Sequence, residues 1–137
     1  MKKLALILTI ATFGCYVSKA QMPDISGNWT MFEMSWTQNQ NVNKTTEDQI
    51  KAQGAFVDYY LLKDGKFKLI SNMTGSGKLD TITGTWKLNP GKLTFSMAPG
   101  GNQMEVVWDF SLTNGVMDLK RTSPDGSTVL VNTFRRK

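Results

Sequence analysis

The chain has 137 residues, with 16 lysines and arginines, 11 aspartates and glutamates, no histidine and one cysteine, Cys15. The absence of histidine excludes a Ser-His-Asp triad and an imidazole base, and with a single cysteine no Cys/His zinc site is available, so catalysis would depend on carboxylates, lysine or tyrosine. A chain of this length forms one domain whose stability depends on one packed core.

The first 20 residues have the pattern of a secretory signal peptide. Two lysines precede an apolar run over 4–13, and Ser18-Lys19-Ala20 forms a small-x-small cleavage site before Gln21. The run is much shorter than the roughly 20 residues of a membrane helix. Lipid attachment at Cys15 is the alternative, but Thr12 and Phe13 match a lipoprotein site poorly, so cleavage after Ala20 is favoured. We predict a signal peptide at 1–20 and an exported, periplasmic or secreted domain at 21–137 that is not transmembrane.

Removing 20 of the 137 residues leaves 117, and losing Lys2, Lys3 and Lys19 lowers the net charge from +5 to +2. The remaining lysines are scattered singly, and only the tail Arg135-Arg136-Lys137 concentrates positive charge. A nucleic-acid surface would need a basic stripe with stacking aromatic residues, so no nucleic-acid partner is expected. No metal or cofactor is expected either.

The mature chain reads as a series of short strands. Glycines follow Asn, Asp or Pro in Asp64-Gly65, Pro90-Gly91, Asn114-Gly115 and Asp125-Gly126, as tight hairpins require. Apolar and polar residues alternate between these turns, which is typical of half-buried antiparallel strands. The predicted strands are 25–36, 55–63, 66–72, 78–89, 92–98, 103–113, 116–123 and 127–135. Eight strands can close into an up-and-down barrel around side chains or one small ligand.

The first strand carries apolar residues on both of its faces. Trp29 and Met31 share one face, whereas Phe32, Met34 and Trp36 share the other. Either a β-bulge near Phe32 switches the phase, which we favour, or the second set forms an exposed apolar stripe that binds an envelope protein partner.

Residues 37–54 are polar and show no strand period, which predicts a long first loop. Within it, Thr45 or Thr46 before Glu47-Asp48-Gln49 resembles a helix start, and Gly54 a stop, so a two-turn helix near 46–53 is expected. The loop either lies across a barrel mouth or is a solvated connection.

Two Gly-x-Trp sequences carry a family resemblance: Gly27-Asn28-Trp29 in the first strand and Gly84-Thr85-Trp86 in the fourth. With Leu93-Thr94-Phe95, Phe110-Ser111-Leu112 and Met117-Asp118-Leu119-Lys120-Arg121, the chain from about residue 25 resembles the small lipocalin-like domains exported by Bacteroidota-type bacteria. The resemblance implies a barrel whose ligand is mostly unknown. It also implies that an arginine of the last strand, Arg135 or Arg136, packs on Trp29. The cysteines that tie down the C-terminus in many secreted lipocalins are absent.

Strand parity assigns one set of side chains to the barrel interior: Trp29, Phe67, Leu69, Ile82, Trp86, Phe95, Met97, Met104, Trp108 and Phe110. These residues either fill the barrel as a solid core or line a pocket for an apolar ligand. The candidate ligand-binding residues are Trp29, Tyr60, Phe67, Trp86, Phe95, Trp108, Phe110 and Arg121.

Two of these candidates depend on side-chain direction. Arg121 is in phase with Met117 and Leu119, so its guanidinium either turns inward to an aromatic face or an anion, or lies at the rim in water. Tyr59 and Tyr60 face opposite sides, so at most one can be a pocket donor, and Asp58 could pair with Tyr60.

Three functions follow from these observations. The leading one is an exported, non-catalytic protein of the cell envelope that binds a small apolar molecule inside the barrel. The alternative is a filled barrel that acts through its surface as an accessory protein of an envelope complex. An enzyme is the least favoured, because the acidic residues mostly occupy turns or outward positions.

Overall fold

Antiparallel strands dominate this computed structural model, which describes residues 21–73 and 77–137. Every one of the eight predicted strands is present, with ends that differ by a few residues. In chain order the elements are β1 Gly27–Gln38, β2 Asn41–Thr45, α1 Glu47–Ala52, β3 Val57–Leu61, β4 Lys66–Ser71, β5 Asp80–Asn89, β6 Lys92–Met97, a 3₁₀ turn Pro99–Gly101, β7 Met104–Thr113, β8 Val116–Thr122 and β9 Thr128–Arg136. The predicted signal peptide, 1–20, lies outside the described residues.

The barrel closes through β1, which pairs with a strand on each of its edges. The sheet order runs β2-β1-β3-β4-β5-β6-β7-β8-β9, and β1 also pairs with β9. Trp29 stands opposite Tyr59 of β3 and opposite Arg136 of β9. The result is the predicted closed eight-stranded antiparallel barrel, in which closure removes the open edges of the sheet.

The segment after β1 differs from the predicted loop. Strand β1 reverses at Asn39 and Gln40, both with positive φ, and β2 pairs back onto it from Gln38↔Asn41 to Met34↔Thr45. Strand β2 lies beside the C-terminal half of β1 and is mostly exposed. Its sequence is therefore polar and lacks the alternation that reveals a strand.

The predicted helix near 46–53 is confirmed as α1. The Thr46 amide donates to Oε1 of Gln49 at 2.9 Å, which satisfies one unpaired amide at the helix start. Ile50 is buried against the barrel.

A β-bulge in β1 is confirmed. The register with β9 shifts between Met31 and Glu33, so Phe32 is the extra residue. After the shift Met34 packs against the core, and Trp36 pairs with Leu130, which also packs there. Cross-strand partners share a face, so Met34 and Trp36 lie inside the barrel. The predicted partner stripe of Phe32, Met34 and Trp36 on one outer face is therefore wrong.

Aromatic rings fill the half of the barrel that contains the start of β1 and the end of β9. Tyr59 stacks on Phe95, with ring centroids 5.0 Å apart, and meets Phe134 edge-on at 5.4 Å. Phe67 packs edge-on against Phe95 at 4.8 Å. Offset and edge-to-face rings pack more favourably than face-to-face pairs, so the four rings form a dense plug.

Gly84 makes room for this plug. It pairs with Phe67 across β4 and β5, and a Cβ atom at Gly84 would lie 2.8 Å from the Phe67 ring and would overlap the Ser96 carbonyl oxygen. The backbone of β6 cannot withdraw without breaking its ladder with β5, so only glycine fits here.

We expect Gly84→Ala to lower the free energy of unfolding by about 1–3 kcal/mol, because overpacking displaces the Phe67 ring or the β6 backbone. Urea unfolding measures it. Thr83→Ala, at an exposed position one residue earlier, is the control and should change stability by less than about 0.5 kcal/mol. Equal effects of the two substitutions would contradict this role of Gly84.

Burial raises the pKa of the Tyr59 phenol to about 12 from its ordinary value of 10. The raised folded-state pKa means that the neutral phenol stabilises the fold fully below pH 10, and that this contribution is lost as the pH rises from 10 through 12. Absorbance at 295 nm should show a tyrosine ionising near pH 12, a step that Tyr59→Phe removes and Tyr60→Phe retains. If Tyr60→Phe removed the late step and Tyr59→Phe retained it, the step would belong to Tyr60, which would contradict this prediction.

Candidate functional site

The first and last strands seal one end of the barrel, here called the base. The indole N–H of Trp29 donates to the Ile25 carbonyl at 2.8 Å, and both residues are fully buried. The guanidinium of Arg136 lies over the Trp29 ring at 4.6 Å and donates to the Ser26 and Asp24 carbonyls at 2.7 and 2.9 Å. Trp29 is thus enclosed from below, and no ligand reaches it from this side.

The two C-terminal arginines have separate roles. Arg136 is the one that packs on Trp29, as the resemblance implied for one of the pair. Arg135 lies on the outer face, where it forms a two-pronged ion pair with Glu47 of α1 at 2.5 and 2.9 Å. Hydrogen bonds from Arg135, and then from Lys51, hold the pKa of Glu47 below its ordinary value. Arg135 therefore ties the helix to the barrel wall.

Two other predicted site residues also contribute to the base. The Trp86 indole donates to the Leu62 carbonyl at 3.0 Å, in the β3–β4 turn. Phe110 packs against the core and lines a cleft of about 200 Å³ with Met22, Pro23 and Leu88. These side chains hold the turns and the N-terminal segment against the barrel.

Three predicted ligand residues belong to the solid part of the barrel. Trp29, Phe67 and Phe95 are at most 3% exposed. Phe67 and Phe95 pack on each other and on Tyr59, and Trp29 is enclosed by Ile25 and Arg136, so the protein itself covers these three side chains.

Tyr60 was predicted to face the interior, and this prediction is wrong. Tyr59 occupies the interior, since it pairs with Trp29 and stacks on Phe95, and Tyr60 lies on the opposite, outer face. Asp58 shares that face but pairs with Lys137 at 2.6 Å. The alternation of Val57, Tyr59 and Leu61 in the sequence carried the signal that could have decided between the two tyrosines.

The other end of the barrel, here called the mouth, has an apolar inner face that water reaches. Met34, Trp36 and Leu130 are only half-buried although they face inward. On the opposite wall Ile82 and Met104 are 36% and 46% exposed. Both were predicted as interior residues, and both lie where β5 and β7 extend beyond the packed core. The interior therefore changes along its axis from a solid base to an apolar, solvated mouth.

Arg121 lies within this mouth. It pairs with Leu130 of β9, and Leu130 in turn pairs with Trp36 of β1, so the three occupy one row of the inner face. Its guanidinium lies 5.4 Å from the centroid of the Trp108 ring. Arg121 is exposed, so its charge lies at the rim in water, with the buried Trp108 ring beneath it.

Asn132 lies one register step deeper and was missed by the sequence analysis. It pairs with Leu119, which is fully buried, and with Met34. Its Oδ1 atom is buried and has no hydrogen-bond partner within the described residues. A buried amide oxygen without a donor is costly, and Asp58 Oδ1 and Asn72 Oδ1 are likewise buried without a partner among the described residues. The alternation of Leu130, Asn132 and Phe134 marks Asn132 as inward-facing.

A second cleft, of about 430 Å³, lies outside the barrel next to α1. It is lined in part by Lys51, Arg135, Arg136 and Lys137, and each of these cations already has a partner: Glu47 binds Lys51 and Arg135, backbone carbonyls bind Arg136, and Asp58 binds Lys137. The hydrogen bond from Lys137 to Asp58 raises the pKa of that lysine. The four cations that line this cleft are thus all engaged by other groups of the protein.

Within residues 21–73 and 77–137, no three acidic, histidine or cysteine side chains are grouped to hold a metal ion. In the same part of the chain no helix has the length and apolar character needed to cross a membrane.

Comparison with solved structures supports the fold. An uncharacterized protein from Bacteroides eggerthii DSM 20697 is similar to this chain, with a TM-score of 0.53 and 17% identity, over 83% of this chain and all of that one. No family model matches the sequence, and no curated protein does. The shared feature is the barrel.

The contacts at the base predict that Arg136 and Arg135 contribute differently to stability. We expect Arg136→Ala to lower the free energy of unfolding by about 1–2 kcal/mol, because it removes two charged hydrogen bonds and the cation–π contact with Trp29. Arg135→Ala should cost clearly less, since an exposed ion pair contributes little. Thermal unfolding of both variants tests the order, and the reverse order would show that the base does not depend on Arg136.

Proposed function

We propose that this protein is an exported, lipocalin-like binding protein, without catalytic activity, that holds a small, largely apolar molecule in the mouth of its barrel. One observation carries the proposal: inward-facing Trp29, Phe95 and Phe134 of the base half are at most 1% exposed, whereas Met34, Trp36 and Leu130 of the mouth are only half-buried and Ile82 and Met104 are exposed. An apolar surface that faces water inside a concave wall is the usual setting of a ligand site.

The ligand occupies only part of the barrel. The rings of Tyr59, Phe67, Phe95 and Phe134 fill the base half, so the depth available is that of the mouth, from Met34 to Gln38 along β1. Four steps of a strand span roughly 13 Å. A ring system or a short chain fits this depth, whereas a long lipid tail would project from it.

The composition of the mouth supports a flat or flexible apolar ligand. Trp36 offers an aromatic face on the wall of β1, and Met34, Met97 and Met104 are side chains that adjust to ligands of different shape. The bulge at Phe32 is what brings Met34 and Trp36 into this wall.

The remaining parts of the proposal rest on the sequence and on the base. The pattern of residues 1–20 supports export to the periplasm or beyond. The chain has no histidine, and the described carboxylates of Glu33, Glu47 and Asp109 pair with lysine or arginine, which supports binding without catalysis. Gly27, Trp29 and Arg136 at the sealed base support the lipocalin-like relationship.

The test uses the mature chain, residues 21–137, and the neutral apolar dye N-phenyl-1-naphthylamine, whose fluorescence rises in apolar sites. We expect saturable binding that Leu130→Trp weakens at least about tenfold, because the larger ring fills the mouth. Val131→Trp, which adds the same ring on the outer face, is the matched control and should bind the dye like the wild type.

Two results would overturn the proposal. One is the absence of saturable binding by the folded wild-type protein. The other is an equal loss in both variants, which would place the dye on the outer surface. Native mass spectrometry of protein purified from its own host adds a direct check, since the proposal predicts a co-purifying small molecule.

A further inference from the structure

We propose that the molecule held in the mouth is an amphipathic carboxylic acid whose carboxylate binds the guanidinium of Arg121. This inference rests on the proposed function and adds the chemical class of its ligand. The juxtaposition of an unpaired arginine, an aromatic ring beneath it and an unsatisfied buried amide oxygen on one inner wall carries it.

The position of Arg121 is unusual for a charged residue. It continues the inward row of β8 after Met117 and Leu119, both of which are fully buried. A solvated outer face was available one residue earlier at Lys120, which pairs with Asp109 across the sheet. Arg121 is exposed at the rim, so water covers its charge when no ligand is bound.

Arg121 also differs from the other two arginines of the described chain in having no bound oxygen. Arg135 binds the Glu47 carboxylate, and Arg136 binds two backbone carbonyls. For Arg121, no hydrogen bond or ion pair links it to any of residues 21–73 and 77–137, and its guanidinium lies over the Trp108 ring. Its five N–H donors are therefore available to a ligand.

The contact with Trp108 orients these donors. A guanidinium that lies over an aromatic face can keep N–H donors at its edge free, and that edge matches the two oxygens of a carboxylate. Ring and charge together suit an acid whose apolar part lies along the inner wall and whose carboxylate stands at the rim.

Asn132 supplies an independent indication of a ligand. Asn132, whose Oδ1 has no partner, lies on β9 two residues from Leu130, the cross-strand partner of Arg121, and diagonal residues in a sheet are about 7–8 Å apart. Since Oδ1 accepts a hydrogen bond, a hydroxyl or N–H group on the ligand body would satisfy it. The class indicated is thus a compact acid with a polar donor within its apolar part.

The experiment compares a matched pair of probes, 1-naphthylacetic acid and 2-(1-naphthyl)ethanol, by isothermal titration calorimetry at pH 7.5. The probes share the naphthyl group and differ in the carboxylate. We expect the wild-type mature chain to bind the acid about tenfold more tightly than the alcohol. Arg121→Gln should remove this preference by weakening the acid while leaving the alcohol unchanged.

Two further variants make the result specific. Lys120→Gln removes the same charge from the neighbouring outer position and should keep the acid preference. Arg121→Lys retains the charge without the planar fork and should keep only part of the preference, which also provides a readout if Arg121→Gln folds poorly.

The outcomes separate this inference from the proposed function. Equal binding of acid and alcohol by the wild type, or an unchanged acid preference in Arg121→Gln, overturns the inference and leaves the function standing. Binding of neither probe counts against both. If Lys120→Gln lost as much of the acid preference as Arg121→Gln, general surface charge would explain the preference. That result would also overturn the inference.

Discussion

The extra residue in β1, Phe32, determines which side chains of this strand face the barrel interior. Side chains alternate along a strand, so a shift of one residue exchanges its inner and outer faces. Without the bulge at Phe32, the phase set by Trp29 and Met31 would point Glu33 inward and leave Met34 and Trp36 outside. With it, β1 contributes buried residues to the base and apolar residues to the mouth, while Glu33 reaches Lys44 on the outer face at 2.8 Å.

The two halves of the barrel that result have different physical roles. In the base half, aromatic packing and the contact between Trp29 and Arg136 provide stability, and Gly84 permits the rings to approach the sheet. In the mouth half, apolar side chains remain in contact with water, which costs free energy unless another molecule covers them. Leu130 and Met34 still pack against the core from the mouth side, whereas Arg121 and Met104 are exposed. This division is the physical basis for treating the mouth as the functional region.

Much of this architecture could be predicted from the sequence. Clean alternation in β4, β6 and β7 revealed those strands, and the doubled apolar faces of β1 revealed the bulge. Strand β2 could not be found because it is polar on both faces and lies outside the barrel's packed core. Tyr60 was assigned inward because adjacent tyrosines look alike in a pattern, although Val57 and Leu61 fixed the phase. The depth at which packing ends, which separates Phe95 from Met104, depends on tilt and stagger of all eight strands and has no local signal.

The most direct test of this account is the solvent exposure of methyl groups along the barrel axis, measured by NMR with a soluble gadolinium chelate added to the mature protein. The account predicts strong relaxation of the methyl signals of Leu130, Ile82 and Met104 in the mouth, and protection of those of Leu93, Leu119 and Met117 in the base. Equal protection of both sets would mean that the barrel is solid along its whole length. That result would contradict an open mouth, and with it the ligand site.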